Sequence, residues 1–199
     1  MKALVLSCTL KSSPQPSNSE ALAQVMIREL ASLSIESEML RLADLHIPPG
    51  VKTNMGGDDD WPHIHDKLLQ ARIVIFATPT WVGRPSSLAQ RAMERMDAMI
   101  TEMRDGVPVA YGKVAGVVVA GNEDGAHHVI SEICGGLGDI GFTIPPQAST
   151  YWNKGPGPGD DYLDTDYRHD WSEKTGRQAA HNLAKLARAL EAVKFEYSQ

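Results

Sequence analysis

The sequence predicts an α/β protein built as a three-layer sandwich, in which a five-stranded parallel sheet lies between two layers of helices. Strand-like and helix-like segments alternate five times along 199 residues without a break in composition. This alternation is typical of parallel sheets with right-handed helical crossovers. Three of the strand-like segments, among them "KVAGVVVAGN", are nearly continuous apolar runs, which indicates strands that are covered on both faces. We therefore expect residues 1–199 to form a single domain.

The first half of the chain alternates short apolar strands with amphipathic helices. In the first helix, Leu22, Met26 and Leu30 fall on one stripe, the spacing of a helix that buries one face. The second strand is followed by a polar stretch rich in Pro and Gly, which we expect to be irregular. In chain order, the predictions are strand 2–7, helix 20–33, strand 36–42, irregular segment 44–62, helix 62–70 and strand 72–80.

The second half repeats the pattern and adds a long aromatic stretch. Residues 149–171 contain five aromatic side chains among Gly, Pro and Asp residues. A loop of this length in a compact domain is often a lid or an interface element, although it could equally cover only the sheet edge. The predictions are helix 86–104, strand 113–122, helix 126–137, a weak fifth strand near 140–148, an irregular excursion over 149–171 and helix 172–192.

The bulk composition excludes several classes of protein. A net charge of −6 and a pI near 5.6 argue against a general nucleic-acid binder, which would present a basic face. No apolar run approaches the roughly 18 residues that span a bilayer, and Ser7 to Ser13 interrupt any secretory signal. Cys8 and Cys134 form no CxxC pair. We therefore expect a cytoplasmic protein with no membrane insertion and no nucleic-acid partner.

The loop after the first strand, "SCTLKSSPQPSNSE", contains no acidic side chain until Glu20. Ser17 and Glu20 fit the S-x-x-E capping box, which predicts a helix start just after Ser17. The unpaired N–H groups of that helix start carry partial positive charge and can bind a phosphate. A well-capped helix after a mobile loop, with no ligand, explains the same residues. The candidate phosphate ligands are Thr9, Lys11, Ser17, Asn18 and Ser19.

Two further loops leave carboxyl ends of strands, where ligands bind in open parallel sheets. In "TPTWVGRPSSLAQ" prolines stiffen the chain, and the backbone amides of residues 80–83 could grip the polar edge of a flat ring beside Trp81. Packing of Trp81 on the core is the competing interpretation. "AGNEDGAHH" could be an ordinary acidic turn. The candidate residues in these loops are Pro79, Thr80, Trp81, Val82, Gly83, Asn122, Glu123, Asp124 and Gly125.

Together the three loops predict a ligand with a phosphate at one end and a flat hydrogen-bonding ring at the other. Flavin mononucleotide (FMN) has this shape, and a sheet with strand order 2-1-3-4-5, as in flavodoxins, binds it at the switch point. The loop after the first strand contains neither the dinucleotide fingerprint G-x-G-x-x-G nor a P-loop.

These motifs resemble those of the flavodoxin-like NAD(P)H-dependent FMN reductase family, over about residues 2–147. "CTLK" and "SNS" correspond to its phosphate-binding turn and helix start, "TPTWVGRPSS" to its loop beside the isoalloxazine, and "GNEDGA" to its third flavin loop. The chain departs from the family pattern at Cys8 and Lys11, where the first turn has Gly and Arg. The resemblance implies a flavodoxin-like fold and a homodimer or homotetramer.

The resemblance also implies a function. Hydride would pass from NADPH or NADH to FMN, and electrons would then reach a small-molecule acceptor such as a quinone, azo, nitro or metal compound. That chemistry requires no catalytic acid or base, so we assign no catalytic side chain. The alternatives are a flavodoxin-type electron carrier that acts with protein partners and a flavin-free regulatory module.

No metal site is predicted. The histidines near residue 63 and the pair His127–His128 lack the spacing of a zinc site. The run "GGDDD" at residues 56–60 lacks the spaced ligands of an EF-hand and is interpreted as a solvated turn.

Overall fold

The computed structural model describes residues 1–157 and 159–197. A central parallel sheet has the strand order β2-β1-β3-β7-β8. This order is 2-1-3-4-5 when only the five parallel strands are counted, so the predicted flavodoxin-like fold is confirmed. The strands are β1 (Lys2–Ser7), β2 (Glu36–Arg41), β3 (Ile73–Trp81), β7 (Val114–Gly121) and β8 (Ser149–Asn153).

Five helices cover the two faces of the sheet. Two of them, α1 (Asn18–Ser32) and α5 (His169–Leu190), bury their apolar stripes on one face, and α2 (Trp61–Gln70), α3 (Ser87–Met96) and α4 (Ala126–Ile140) bury theirs on the other. Short 3₁₀ turns lie at Leu42–Asp44, Asp97–Ile100 and Tyr162–Asp164. The inner strands β1, β3 and β7 are buried on both sides, as their continuous apolar runs predicted, whereas the edge strands β2 and β8 are partly exposed.

The predicted helix over residues 86–104 is too long. The α-helix ends at Met96, and a small hairpin of β5 (Met103–Arg104) and β6 (Val107–Pro108) follows the 3₁₀ turn. Asp105 and Gly106 have φ angles of 55° and 80°, the conformation of a two-residue hairpin turn for which Asp-Gly is a preferred sequence. The chain must therefore leave the helix before Met103.

The fifth strand lies later than predicted. Residues 140–148 contain the end of α4, a left-handed Gly141 and two consecutive prolines, Pro145 and Pro146. Prolines cannot donate to a strand ladder. The strand is instead "STYWN", whose β-branched and aromatic residues favour the pleated sheet. The predicted excursion over 149–171 therefore begins as β8 and ends in α5. Its irregular part is residues 154–157 and 159–168, and residue 158 lies outside the described residues.

A third correction concerns the "GGDDD" turn, which is not solvated throughout. The side chain of Asp59 is 1% exposed and pairs with the fully buried guanidinium of Arg95. Burial by itself would raise the pKa of Asp59, but hydrogen bonds from Arg95 and from the N–H groups of Met55 and Trp61 outweigh it and lower the pKa to about 2.

None of the described helices is long and apolar enough to cross a bilayer.

Candidate flavin site

Three loops meet in one pocket at the carboxyl edge of the sheet, because β1, β3 and β7 are neighbours in it. The pocket has a volume of about 160 Å³. Pockets that enclose drug-sized ligands measure roughly 300–1,000 Å³, so this one can enclose only part of a flavin nucleotide. The predicted residues that line it are Thr9, Lys11, Ser17, Asn18, Ser19, Pro79, Thr80, Trp81 and Asn122.

The other predicted residues, Val82, Gly83, Glu123, Asp124 and Gly125, do not line this pocket. Four lining residues were not predicted from the sequence: Leu10, Ala120, Gly121 and Asp161. Leu10 and Gly121 are immediate neighbours of predicted residues, and Ala120 is two positions before Asn122. Asp161 comes from the irregular segment before α5, and its sequence signal is only an acidic run beside an aromatic residue.

The first loop delivers the N-terminus of α1 to the pocket. Ser17 is the N-cap, and its Oγ accepts a hydrogen bond from the N–H of Glu20 at 3.4 Å. The Glu20 carboxylate does not complete the capping box. It accepts hydrogen bonds from Ser7 and from Arg41 instead. The only acid of this stretch is thereby neutralised outside the pocket, which leaves the helix N-terminus free to attract an anion.

The loop itself is held from outside by a carboxylate. Asp44 accepts hydrogen bonds from the N–H and the hydroxyl of Ser13 at 2.8 and 2.6 Å, and these bonds lower the pKa of Asp44. Inside the loop, the Lys11 ammonium donates to the carbonyl oxygen of Pro16 at 3.3 Å. This bond places a full positive charge next to the first turn of α1.

The second loop is a tight hairpin. Strand β3 continues to Trp81, reverses at Val82 and Gly83 with φ angles of 52° and 70°, and pairs with β4 (Arg84–Pro85). The indole of Trp81 is 54% exposed, so the interpretation that it packs on the core is wrong. The hairpin holds a flat aromatic face at the rim of the pocket.

The third loop is locked to the hairpin. Glu123 Oε1 accepts a hydrogen bond from the N–H of Val82 at 2.9 Å. A Cβ on Gly125 would lie 2.8 Å from the Cα of Gly83, and one on Gly121 would lie 2.9 Å from the Cβ of Thr80. Because these approaches leave no room for a side chain, the second and third loops form one rigid wall.

The lone cysteine of the first loop offers no redox chemistry of its own. Cys8 is fully buried, and burial raises the pKa of its thiol. Its backbone instead ties two loops together, because its carbonyl accepts a hydrogen bond from the hydroxyl of Ser86 at 2.6 Å. A protonated, inaccessible thiol is not a nucleophile.

A short segment crosses the pocket from the opposite side. We name residues 159–164 the strap. Asn122 Nδ2 donates to the carbonyl of Gly159 at 3.2 Å and to Oδ1 of Asp161 at 3.1 Å, and Asn18 Oδ1 accepts from the N–H of Leu163 at 3.2 Å. Two of the predicted flavin-binding asparagines are therefore bonded to the strap.

The residues of this pocket fit FMN. Thr80 is 4% exposed, and its Oγ1 has no hydrogen-bond partner among the residues that the structure describes, although it lines the pocket. A buried hydroxyl without a partner is costly unless a ligand satisfies it. The helix N-terminus, the hydroxyls of the first loop and Lys11 suit a phosphate. The hairpin and third loop suit a flat ring.

Comparison with known proteins agrees with this geometry. The family model of the NADPH-dependent FMN reductases matches residues 1–155, so the chain belongs to that family. The family assignment confirms the predictions of FMN as the cofactor and of a reduced nicotinamide as co-substrate.

Two relatives share 32% of their aligned residues with the chain. The first is the 8-demethyl-8-aminoriboflavin-5'-phosphate synthase of Streptomyces davaonensis, in a match over 96% of this chain and 79% of that protein. The second is the divalent metal cation transporter MntH of Mycobacterium bovis, of which the chain spans 29%.

Solved structures agree in fold. A crystal structure of RosB with the bound intermediate 8-demethyl-8-formylriboflavin-5'-phosphate superposes with a TM-score of 0.88 at 32% identity, over 96% of this chain and 80% of that one. A flavone reductase superposes with a TM-score of 0.66 at 18% identity, over 98% of this chain and 66% of that one. At that lower identity only the fold is shared.

Proposed function

We propose that the protein is an FMN-dependent NAD(P)H oxidoreductase that reduces a small-molecule acceptor, such as a quinone, azo or nitro compound. The observation that carries this proposal is the buried hydroxyl of Thr80, which has no hydrogen-bond partner within residues 1–157 and 159–197 and lies in a pocket that also contains the N-terminus of α1. When bound, FMN would accept hydride from the nicotinamide and release electrons to the acceptor. The chain supplies position, electrostatics and access.

Each loop has a separate task in this proposal. The first loop and Lys11 hold the phosphate, and Thr80 donates a hydrogen bond from its hydroxyl to the flavin. Trp81 lies at the open rim, where it borders the space for the second substrate. Arg84 also lies at this rim, 68% exposed and 3.6 Å from the carboxylate of Glu132. An exposed cation can attract the phosphate of NADPH or an anionic acceptor.

The decisive experiment is anaerobic reduction. Full-length protein reconstituted with FMN is mixed with NADPH or NADH, and the absorbance of oxidised flavin is followed. Rapid bleaching supports the oxidoreductase, whereas bound FMN that does not bleach indicates the electron carrier. Failure of FMN to bind or to raise thermal stability would reject both redox functions and leave the flavin-free module.

Thr80→Val tests the carrying observation, because valine has nearly the shape of threonine but no hydroxyl. We expect FMN affinity to fall about tenfold through loss of one buried hydrogen bond. The unfolding free energy of the flavin-free protein should stay the same or rise, since an unsatisfied hydroxyl is removed. Unchanged FMN affinity would contradict the assignment of Thr80.

A second candidate function is chemistry on the flavin itself. It is favoured by the 32% identity to a riboflavin-derivative synthase and to a structure with a modified flavin phosphate bound. In that case the pocket would hold FMN as a substrate. Mass spectrometry of the flavin extracted after aerobic incubation distinguishes the two, because a cofactor keeps its mass and a substrate changes it. The homodimer or homotetramer also remains a proposal, which sedimentation of the holoprotein would test.

A further inference from the structure

The strap lies across the flavin pocket and is fixed at both ends. One attachment is Asn122 in the third loop, and the other is Asn18 in the first turn of α1. These attachments belong to different walls of the pocket, since Asn122 follows β7 and Asn18 follows the first loop. The strap therefore bridges the two elements between which the proposed flavin would extend.

The middle of the strap is anchored in the core. The ring of Tyr162 is 5% exposed and stacks on His169, with centroids 3.9 Å apart and planes at 14°. It also contacts Trp152 edge-on, with centroids 5.6 Å apart, and its carbonyl is 2.9 Å from His169 Nε2. Burial of this ring fixes the backbone on either side, so the neighbouring Asp161 is presented to the pocket in a defined position.

The carboxylate of Asp161 is unexpected in the wall of a phosphate pocket. A negative charge repels a phosphate dianion, so simple charge complementarity would exclude an acid here. An FMN molecule, however, carries a ribityl chain with three hydroxyl groups between its phosphate and its ring. Hydroxyl donors form strong hydrogen bonds to ionised acceptors. Asn122 occupies one acceptor position of Oδ1, and a carboxylate offers about four.

We propose that Asp161 is a flavin-positioning residue whose carboxylate accepts hydrogen bonds from the ribityl hydroxyls. Tyr162, Asn18 and Asn122 hold the strap so that this carboxylate faces the middle of the ligand. The inference deepens the proposed function and rests on it, because it requires FMN to occupy this pocket. Through these hydrogen bonds, Asp161 makes the chain selective for a flavin whose side chain carries hydroxyl groups. The three loops by themselves recognise only the phosphate and the ring.

The test measures the dissociation constants of two ligands for the wild type and for two variants, each as the flavin-free full-length chain. The ligands are FMN and a synthetic flavin with the same ring and phosphate but a 5-phosphopentyl chain without hydroxyls. Asp161→Ala is compared with Asp164→Ala, which removes an exposed carboxylate from the same strap outside the pocket. Thermal unfolding of each variant confirms that it is folded.

We expect the dissociation constant of FMN to rise about tenfold or more in Asp161→Ala, because this variant loses hydrogen bonds to a charged group. In Asp164→Ala the dissociation constant should stay unchanged. The phosphopentyl flavin should bind the wild type about as weakly as FMN binds Asp161→Ala. The affinity of the phosphopentyl flavin should be the same for Asp161→Ala as for the wild type, because this ligand has no hydroxyl groups to bind the carboxylate that the variant removes.

Three results would overturn the inference while FMN still binds the wild type. Equal or tighter FMN binding by Asp161→Ala would show that the carboxylate only repels the phosphate. Equal weakening of both ligands would show a general effect of the strap. Retention of full affinity by a folded Asp161→Leu variant would exclude the hydrogen bond. Absence of FMN binding by the wild type would instead reject the proposed function, and this inference with it.

Discussion

Two irregular segments of this chain look alike in sequence and are used differently in the structure. Residues 45–60 and residues 154–168 are both polar, contain Pro and Gly, and carry a cluster of aspartates. The first segment folds around a buried ion pair beside α3. The second is bonded to two side chains of the flavin pocket.

The first segment is closed by one arginine. The guanidinium of Arg95 is fully buried and donates to both carboxylate oxygens of Asp59, at 3.1 and 2.6 Å. It also donates to the carbonyl oxygens of Pro48, Lys52 and Thr53 at 3.0–3.2 Å. Its donors are used within the segment, so we infer a structural role for the segment.

The second segment presents one carboxylate, that of Asp161, to the site. Asp161 lines the flavin pocket, and its partner Asn122 belongs to a predicted flavin loop. Among the described residues of this segment, only Tyr162 is buried. The difference shows that the role of an acidic loop is assigned from the groups that its carboxylates contact. A contact with a buried guanidinium indicates a structural role, and a contact with a pocket side chain indicates a role in ligand binding.

The largest expected effect is that of Arg95→Met. It leaves the Asp59 carboxylate buried without its cation, which typically costs about 3–5 kcal/mol. Urea unfolding measures this loss. The control is Arg91→Met on the same helix, which gives up one hydrogen bond to the carbonyl of Ile47 and should cost about 1 kcal/mol. FMN affinity of the folded Arg95→Met protein should not change; a changed affinity would break the contrast between the two segments.

A pH dependence should follow from the same carboxylate. The pKa of Asp59 is about 2 in the folded protein and 3.8 for a free side chain. Because the folded value is the lower one, this group stabilises the fold above pH 4 and loses that contribution as the pH falls toward 2. The loss amounts to about 2 kcal/mol.

Unfolding free energies of the wild type and Asp59→Asn, measured from pH 6 down to the lowest pH at which both fold, test this expectation. The gap between the two proteins should narrow with acid, since the variant has no carboxyl to protonate at this position. A constant gap would show that the Asp59 charge contributes nothing to stability.

The strap should respond in ligand kinetics rather than in stability. Asn122→Ala removes two hydrogen bonds to the strap, so we expect FMN to dissociate several-fold to tenfold faster, with the unfolding free energy changed by about 1 kcal/mol. Stopped-flow release of FMN measures the rate. Asn182→Ala, which loses a bond to the carbonyl of Pro146, is the matched control and should release FMN at the wild-type rate. Equal rates of FMN release from both variants would show that the strap does not slow FMN dissociation.

The fold was predictable because local signals agreed with it. Apolar runs identified three of the strands, β1, β3 and β7, and the S-x-x-E pattern located the start of α1 within a residue. The fifth strand was misplaced because Ile140, Phe142 and Ile144 form an apolar series. Those side chains pack on the core from a helix end and a turn rather than from a strand.

The site was predictable only where it follows a strand. Each predicted loop lies at or directly after the carboxyl end of β1, β3 or β7, so topology brings the three together. Asp161 lies 39 positions from Asn122 and Asp59 lies 36 from Arg95. Their roles depend on burial of Tyr162 and Arg95 in the folded chain, which no local pattern encodes.

The smallest expected effect concerns the ion pair within the second segment, between Lys154 and Asp160. These side chains are 33% and 60% exposed, so water screens their attraction and ordering both costs side-chain entropy. Lys154→Met should therefore change the unfolding free energy by only about 0–1 kcal/mol. Repeating the wild-type measurement in 1 M NaCl should remove whatever contribution the pair makes. A loss comparable to that of Arg95→Met would mean that the second segment is also closed by its charges, and the contrast between the two segments would disappear.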